Sequence, residues 1–232
     1  MSAFKNAGMR AGLLNVFGSG DTLLLPSVVA TDATAAGITI PASKMITGLF
    51  RRSGPGAGYT DTFDTAVNIY NALVGEGSDP EIAVGDAFLL RIINSVAFLE
   101  TITLGAGMVA GVGTIASVTA STWREFLFTF LSVQKPISIY CSTTNGSAAV
   151  TFVLAPNQSA LPMGPAPGSA NISPGAFVSG TGIAAGTTVL GLTQAPGGMT
   201  GFTLSANATA TGTALLSFGP YLKVDGPGSG TL

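Results

Sequence analysis

The stretch REFLFTFL, residues 124–131, alternates strictly: Phe126, Phe128 and Phe130 fall on one side, and Glu125, Leu127, Thr129 and Leu131 on the other. A period of two is the pattern of a β-strand with one face on a core, and the three phenylalanines mark that inner face. The same period recurs outward from this stretch. Upstream, Phe88, Leu90 and Ile92 share a face with Arg91 opposite, and Ile102 and Leu104 follow. Downstream come Ile137 and Ile139, then Val150, Phe152 and Leu154, with Asn145-Gly146 between them as a hairpin signal. Short strands joined by Gly/Ser/Thr/Asn turns predict a mainly β chain with a β-sandwich or jelly-roll-like domain.

One short helix interrupts the strands. Val67, Tyr70, Leu73 and Val74 recur at three- and four-residue spacing, with Asp64 as N-cap, or Thr62 a step earlier. Gly75 and the following EGSDP end it.

Composition divides the rest. Residues 1–45 read as an extended N-terminal arm, because Gly, Asn, Ser, Thr and Asp interrupt every apolar run. Such a segment becomes ordered by lying on a partner. Residues 46–155 hold the β-sandwich domain. Residues 156–170, with their prolines, form a semi-rigid linker that suits neither a central strand nor a helix. Residues 171–220 form a small C-terminal β module with strands at Ala176–Ser179, Thr187–Leu192, Gly201–Ser205 and Ala214–Phe218. Residues 221–232 read as a flexible tail.

Only 9% of the residues are charged, against about 25% in an ordinary soluble domain, yet 47% are hydrophobic, which excludes a disordered chain. Residues 171–218 carry no charge at all. A surface this bland lacks the repulsion that keeps molecules apart, so sister subunits or a larger body are expected to cover it. The chain has no histidine, which removes the commonest general base and any Ser-His-Asp or Cys-His arrangement. No catalytic residue, cofactor site or metal site is expected. Asp61 and Asp64 read as helix caps and dipole partners rather than an acid pair. Asp79, Glu81 and Asp86 lack the spacing of a calcium loop. Lone Cys141 reads as a small buried hydrophobe. The longest basic run is Arg51-Arg52, so no nucleic-acid partner is expected. The uncharged window 101–119 is strand-like and Gly-rich, so no membrane span is expected either. The candidate interface residues are the scarce cations Arg51, Arg52, Arg91 and Arg124, for salt bridges between subunits, and Trp123 as an anchor.

Two stretches carry a resemblance. GTGIAAGTTVLGL (Gly180–Leu192) with FTLSANATATGTALLSFG (Phe202–Gly219) resembles a β repeat of tailed-bacteriophage virion proteins. ITGLFRRSGPGAGYTDTFDTAVNIYNAL (Ile46–Leu73), leading to VGDAFLLRIIN (Val84–Asn94), is similar to a β-rich domain of phage particle proteins. The resemblance implies a non-enzymatic structural protein of the virion. Within that group it implies a homotrimeric decoration or cement protein on the capsid surface, its partners being the major capsid protein and further copies of itself. The alternative is a head or tail fibre, or another tail component, binding a host receptor glycan. The aromatic-poor C-terminal module departs from sugar-binding surfaces, where Trp and Tyr stack on the ligand.

Overall fold

The computed structural model describes residues 22–23, 28–75, 82–113, 117–153, 172–196 and 198–231. The chain divides into two compact units: unit 1 comprises residues 1–130 and 222–232, and unit 2 residues 131–221. Along the chain, the first ten strands are β1 (Thr22–Leu23), β2 (Val28–Asp32), β3 (Thr39–Ile40), β4 (Gly48–Arg52), β5 (Tyr59–Phe63), β6 (Ala87–Asn94), β7 (Glu100–Thr103), β8 (Met108–Ala110), β9 (Ser117–Val118) and β10 (Thr122–Ser132). Helix α1 (Ala42–Met45) precedes β4 and helix α2 (Ala66–Val74) follows β5. Unit 2 holds β11 (Ile137–Thr143), β12 (Ala149–Phe152), β13 (Phe177–Ser179), β14 (Val189–Ala195), β15 (Gly198–Leu204) and β16 (Gly212–Gly219). After Pro220 the chain returns to unit 1 as β17 (Tyr221–Thr231).

In unit 1 the chain alternates between two sheets. The larger has the order β2-β4-β6-β10-β17-β8, with β1 also on β6, and the smaller runs β3-β5-β7-β9. Strands β2, β4 and β6 pair in parallel in one sheet, and β3, β5 and β7 pair in parallel in the other. Each passage from one sheet to the other is an arch, and successive arches stack backbone on backbone. Glycine permits that stacking: a Cβ on Gly54 would sit 1.8 Å from the Ala33 carbonyl oxygen. β10 then runs antiparallel to β6. The Phe stripe lies on its inner face as expected, with Phe126, Phe128 and Phe130 buried. Phe63 of the opposite sheet meets Phe126 and Phe128 edge-on, each at 5.1 Å, and Phe88 stacks on Phe128 at 4.8 Å. Burying each such ring contributes about 1.5–3 kcal/mol.

Unit 2 is one sheet of order β13-β16-β11-β12-β15-β14, with the ends brought together at a bridge between Phe177 and Thr188. Gly175 N–H donates to Val189 O (2.7 Å) and Val189 N–H to Ala176 O (2.9 Å), which closes the ring into a small barrel. Its interior is packed with Cys141, Val178, Val189, Phe202, Leu216 and Phe218 among others. Outside, the strands show Ser138, Thr151, Thr203, Thr213 and Ser217. Lys135 is the one Asp, Glu, Lys or Arg residue between 131 and 221.

The mainly β architecture matches the reading of the sequence, with several corrections of detail. Residues 28–45 are not arm: β2, β3 and α1 belong to the body of unit 1. The hairpin of β11 and β12, with Gly146 at φ 79° in its turn, belongs to the barrel rather than to the first domain. Residues 221–231 are strand, not a flexible tail, because Leu222 and Val224 are buried in the larger sheet. There are two helices among the described residues rather than one. Thr65, not Asp64 or Thr62, caps α2 by accepting from Asn68 N–H at 3.1 Å, and Ala66, Ile69 and Tyr70 form its buried face. Residues 1–21, Asp79, Glu81 and the linker at 156–170 lie outside the described residues. No described helix is long and apolar enough to cross a membrane.

Candidate functional site: a buried charged layer and an outward sheet face

Inward-facing positions of unit 1 are apolar along most of its length and polar at one level. In the larger sheet that level is the register row Asp32, Arg52, Asn94 across β2, β4 and β6. In the smaller sheet it is the row Tyr59 and Glu100, with Asp61 one pleat along β5. Arg52, Asp61, Asn94 and Glu100 are completely buried. Arg52 Nε lies 2.7 Å from Asp61 Oδ2, an ion contact off the N–H axis, and Nη1 donates to Asp32 Oδ1 at 3.0 Å. Nη2 donates to the Ala36 carbonyl at 2.6 Å, and the guanidinium lies 5.1 Å from the Tyr59 ring centre. Asp61 Oδ1 accepts from Ile38 N–H at 2.9 Å. Lys44 pairs with the other Asp32 oxygen at 2.8 Å.

The chain has 9 basic and 11 acidic side chains, and five of them, Asp32, Lys44, Arg52, Asp61 and Glu100, meet in this one layer. The Lys44 and Thr34 hydrogen bonds hold the Asp32 carboxyl well below its ordinary range. Burial, and then the neighbouring Asp61 charge, push Glu100 up to about 8. Burial also raises Asp61, against the lowering effect of the Ile38 N–H and of Arg52. Arg52, Asp61, Asn94 and Glu100 have no solvent access and join the two sheets, while Asp32 and Lys44 at the edge of the layer stay partly exposed.

Arg52, expected at an interface between subunits, is instead buried, with its guanidinium consumed inside its own unit. Arg124 also turns inward, half-buried, with Nη1 donating to Ser117 O at 2.9 Å. Asp61 is not a helix cap. Asp64 does act near helix starts, accepting from Ala42 N–H of α1 at 2.9 Å and from Thr65 N–H at 2.8 Å. Asp86 is buried and accepts from Ala83 N–H at 2.8 Å. Burial pushes the Cys141 thiol up to about 12, in keeping with an inert core position.

The remaining three candidates, Arg51, Arg91 and Trp123, come together on the outward face of the larger sheet. Register places Arg51, Ile93 and Trp123 in one row and Leu49, Arg91 and Glu125 in the next. The Arg91 guanidinium stacks 4.3 Å from the Trp123 ring centre and its Nε donates to Glu125 Oε1 at 3.1 Å. Gly230 of β17 leaves room for the indole, since a Cβ there would sit 2.7 Å from it. Exposed Arg51 donates to Ser95 Oγ at 3.2 Å and forms no ion pair among the described residues. Half-buried Leu49, Leu89, Ile93 and Leu127 complete the face.

Sequence reasoning missed Asp32, Tyr59, Asn94 and Glu100. A signal existed: Arg52 is in phase with Phe50, Asp61 with Phe63, and Asn94 with Phe88, Leu90 and Ile92. No protein-family model, curated protein or solved structure matches this chain.

Proposed function

We propose that this protein is a non-enzymatic structural subunit of a large assembly, a decoration or cement protein that binds and stabilises the capsid shell of a tailed phage. The observation that carries the reading is unit 2. A closed barrel whose surface offers hydroxyls, glycines and the exposed Leu190 and Leu215, with one charged side chain, has little to oppose association with other surfaces. The outward face of unit 1 adds a braced Trp123 beside Arg51 and Arg91, the residue types enriched where interfaces gain most of their energy. In this reading that face meets the major capsid protein and the barrel meets further copies.

Shells assembled with and without the protein test it. Decorated shells are expected to withstand heat and osmotic shock that rupture bare ones, and Trp123→Ala is expected to reduce occupancy. Equal resistance, or attachment of the isolated protein to host-cell glycans instead of shells, overturns the proposal.

A further inference from the structure

The buried layer of unit 1 requires one hydrogen more than its ordinary charge states supply. Asn94 fixes the count. Its Nδ2 donates to the carbonyls of Phe98 (2.8 Å) and Val118 (3.1 Å), so its Oδ1 is an acceptor. The Tyr59 hydroxyl has a single hydrogen, yet its oxygen lies 3.1 Å from Asn94 Oδ1 and 3.0 Å from Glu100 Oε2. If that hydrogen points to Asn94, the contact with Glu100 needs a hydrogen from the carboxyl group. If it points to Glu100, the oxygens of Tyr59 and Asn94 face each other with none between them. The other Glu100 oxygen, Oε1, is buried without any donor, and the Asp61 charge acts on the same carboxyl group.

Charge gives the same answer. Lys44 and Arg52 balance Asp32 and Asp61, so an ionised Glu100 would be an uncompensated charge in a closed interior. Arg124, on the inner face of β10, donates to Ser117 O and forms no ion pair with Glu100.

We propose that Glu100 is a resident carboxylic acid whose proton, donated to the Tyr59 hydroxyl while that hydroxyl donates to Asn94, ties the smaller sheet to the larger, and that its loss loosens unit 1, as a latch that rising pH opens. The groups acting on it are Tyr59 and Asp61 from β5 and Arg52 from β4, with Asn94 of β6 on the far side of Tyr59, Asp32 of β2 and Lys44 of α1 beyond Arg52, and Arg124 on the inner face of β10. On opening, the proton passes to solvent and leaves a carboxylate beside the Asp61 charge. The acid's preference for its neutral form, up to about 8 against 4.5 for an unperturbed glutamate, sets where this acts. Between those values, the unfolded chain releases the proton and the folded one keeps it, so rising pH favours unfolding. Above about 8 the folded chain ionises as well and the slope levels off.

Trp123 is the only tryptophan and lies in unit 1, so its fluorescence reports this unit. In urea titrations of the whole protein across that window, the unfolding constant is expected to rise by up to about tenfold per pH unit. Glu100→Gln, which mimics the neutral acid, is expected to remove most of that slope. An identical slope in both proteins overturns the latch. Should E100Q fail to fold, infrared spectroscopy of the wild-type protein decides: a buried protonated carboxylic-acid band present at neutral pH and lost in alkali supports the latch, and its absence at neutral pH overturns it. The outcome is independent of whether the protein decorates a shell.

Discussion

Unit 1 and unit 2 are both β-structures with phenylalanine-rich interiors, but they fix the register of their strands by different means. In unit 2 two of the neighbouring pairs are hairpins, β11 with β12 around Asn145-Gly146 and β14 with β15, so local geometry sets the register of those strands. Its core cluster holds no charged side chain. In unit 1 the paired strands β2, β4 and β6 are parallel and an excursion to the other sheet separates each from the next. No hairpin sets their alignment, and a slip of one residue would turn every inward side chain outward. The row Asp32–Arg52–Asn94, meeting Asp61 and Glu100 from the facing sheet, penalises such a slip heavily, because it would strip buried charges of their partners. The unit with hairpins keeps its core cluster free of ions; along β2, β4 and β6, where no hairpin helps, ions supply the address.

The most damaging way to test that contrast is Arg52→Ala. It leaves Asp61 buried without its cation and is expected to cost unit 1 about 3–5 kcal/mol, read as an earlier urea midpoint of Trp123 fluorescence. If the layer serves register more than raw stability, Arg52→Met combined with Asp61→Leu costs less than Arg52→Ala alone. In the barrel the corresponding test is apolar. Phe202 sits between Phe152 at 5.6 Å and Phe218 at 5.2 Å, and Phe202→Ala is expected to cost about 3 kcal/mol through the cavity it leaves. Loss of amide protection across β11, β12 and β16 checks that.

pH should separate the units next. Glu100 stabilises unit 1 fully below the ordinary glutamate value of 4.5, and that contribution is lost as pH rises to about 8, at up to about 1.4 kcal/mol per pH unit. Asp32 has the opposite sign: its depressed carboxyl stabilises above the ordinary value of 3.8 and the contribution is lost as pH falls. Unit 1 is thus expected to be most stable in mild acid. Across the same window unit 2 should be flat, because Lys135 is its one charged side chain and Cys141 titrates only near 12. A barrel whose amide protection follows the Trp123 profile would break the contrast.

How much of this was legible follows from the same physics. The period of two shows which way a side chain faces, so the Phe stripe, the strand at Phe88–Ile92 and the four pieces of the later module were readable. It does not show which strand lies alongside, so the parallel arches were not; the hairpin at Asn145-Gly146 was recognised, but not the barrel it joins. Arg51-Arg52 looks like one basic surface pair, yet in a strand the two point to opposite faces, and only Arg51 reaches solvent.

Helix α2 offers a smaller test on unit 1 alone. Thr65 Oγ1 satisfies an otherwise orphaned N–H at its start, and Thr65→Ala is expected to cost about 1 kcal/mol. The loss should appear as the same shift at any pH, in contrast to Glu100→Gln, because no titrating partner is removed.

The smallest expected effect on stability carries the most weight for function. Leu190, on β14, is 62% exposed, and Lys135 is the one charged side chain of its unit. Leu190→Lys removes no core contact, so the barrel's unfolding midpoint should shift by no more than about 0.5 kcal/mol. If the uncharged exterior exists to lie against other subunits, the new charge must be stripped of water at every such contact, and association should weaken out of proportion to stability. Sedimentation of the variant and the wild-type protein, alone and with shells, separates these effects. A variant that assembles and binds like the wild type would leave the barrel's lack of charge without a role in association, and the contacts would then rest on the Trp123 face of unit 1.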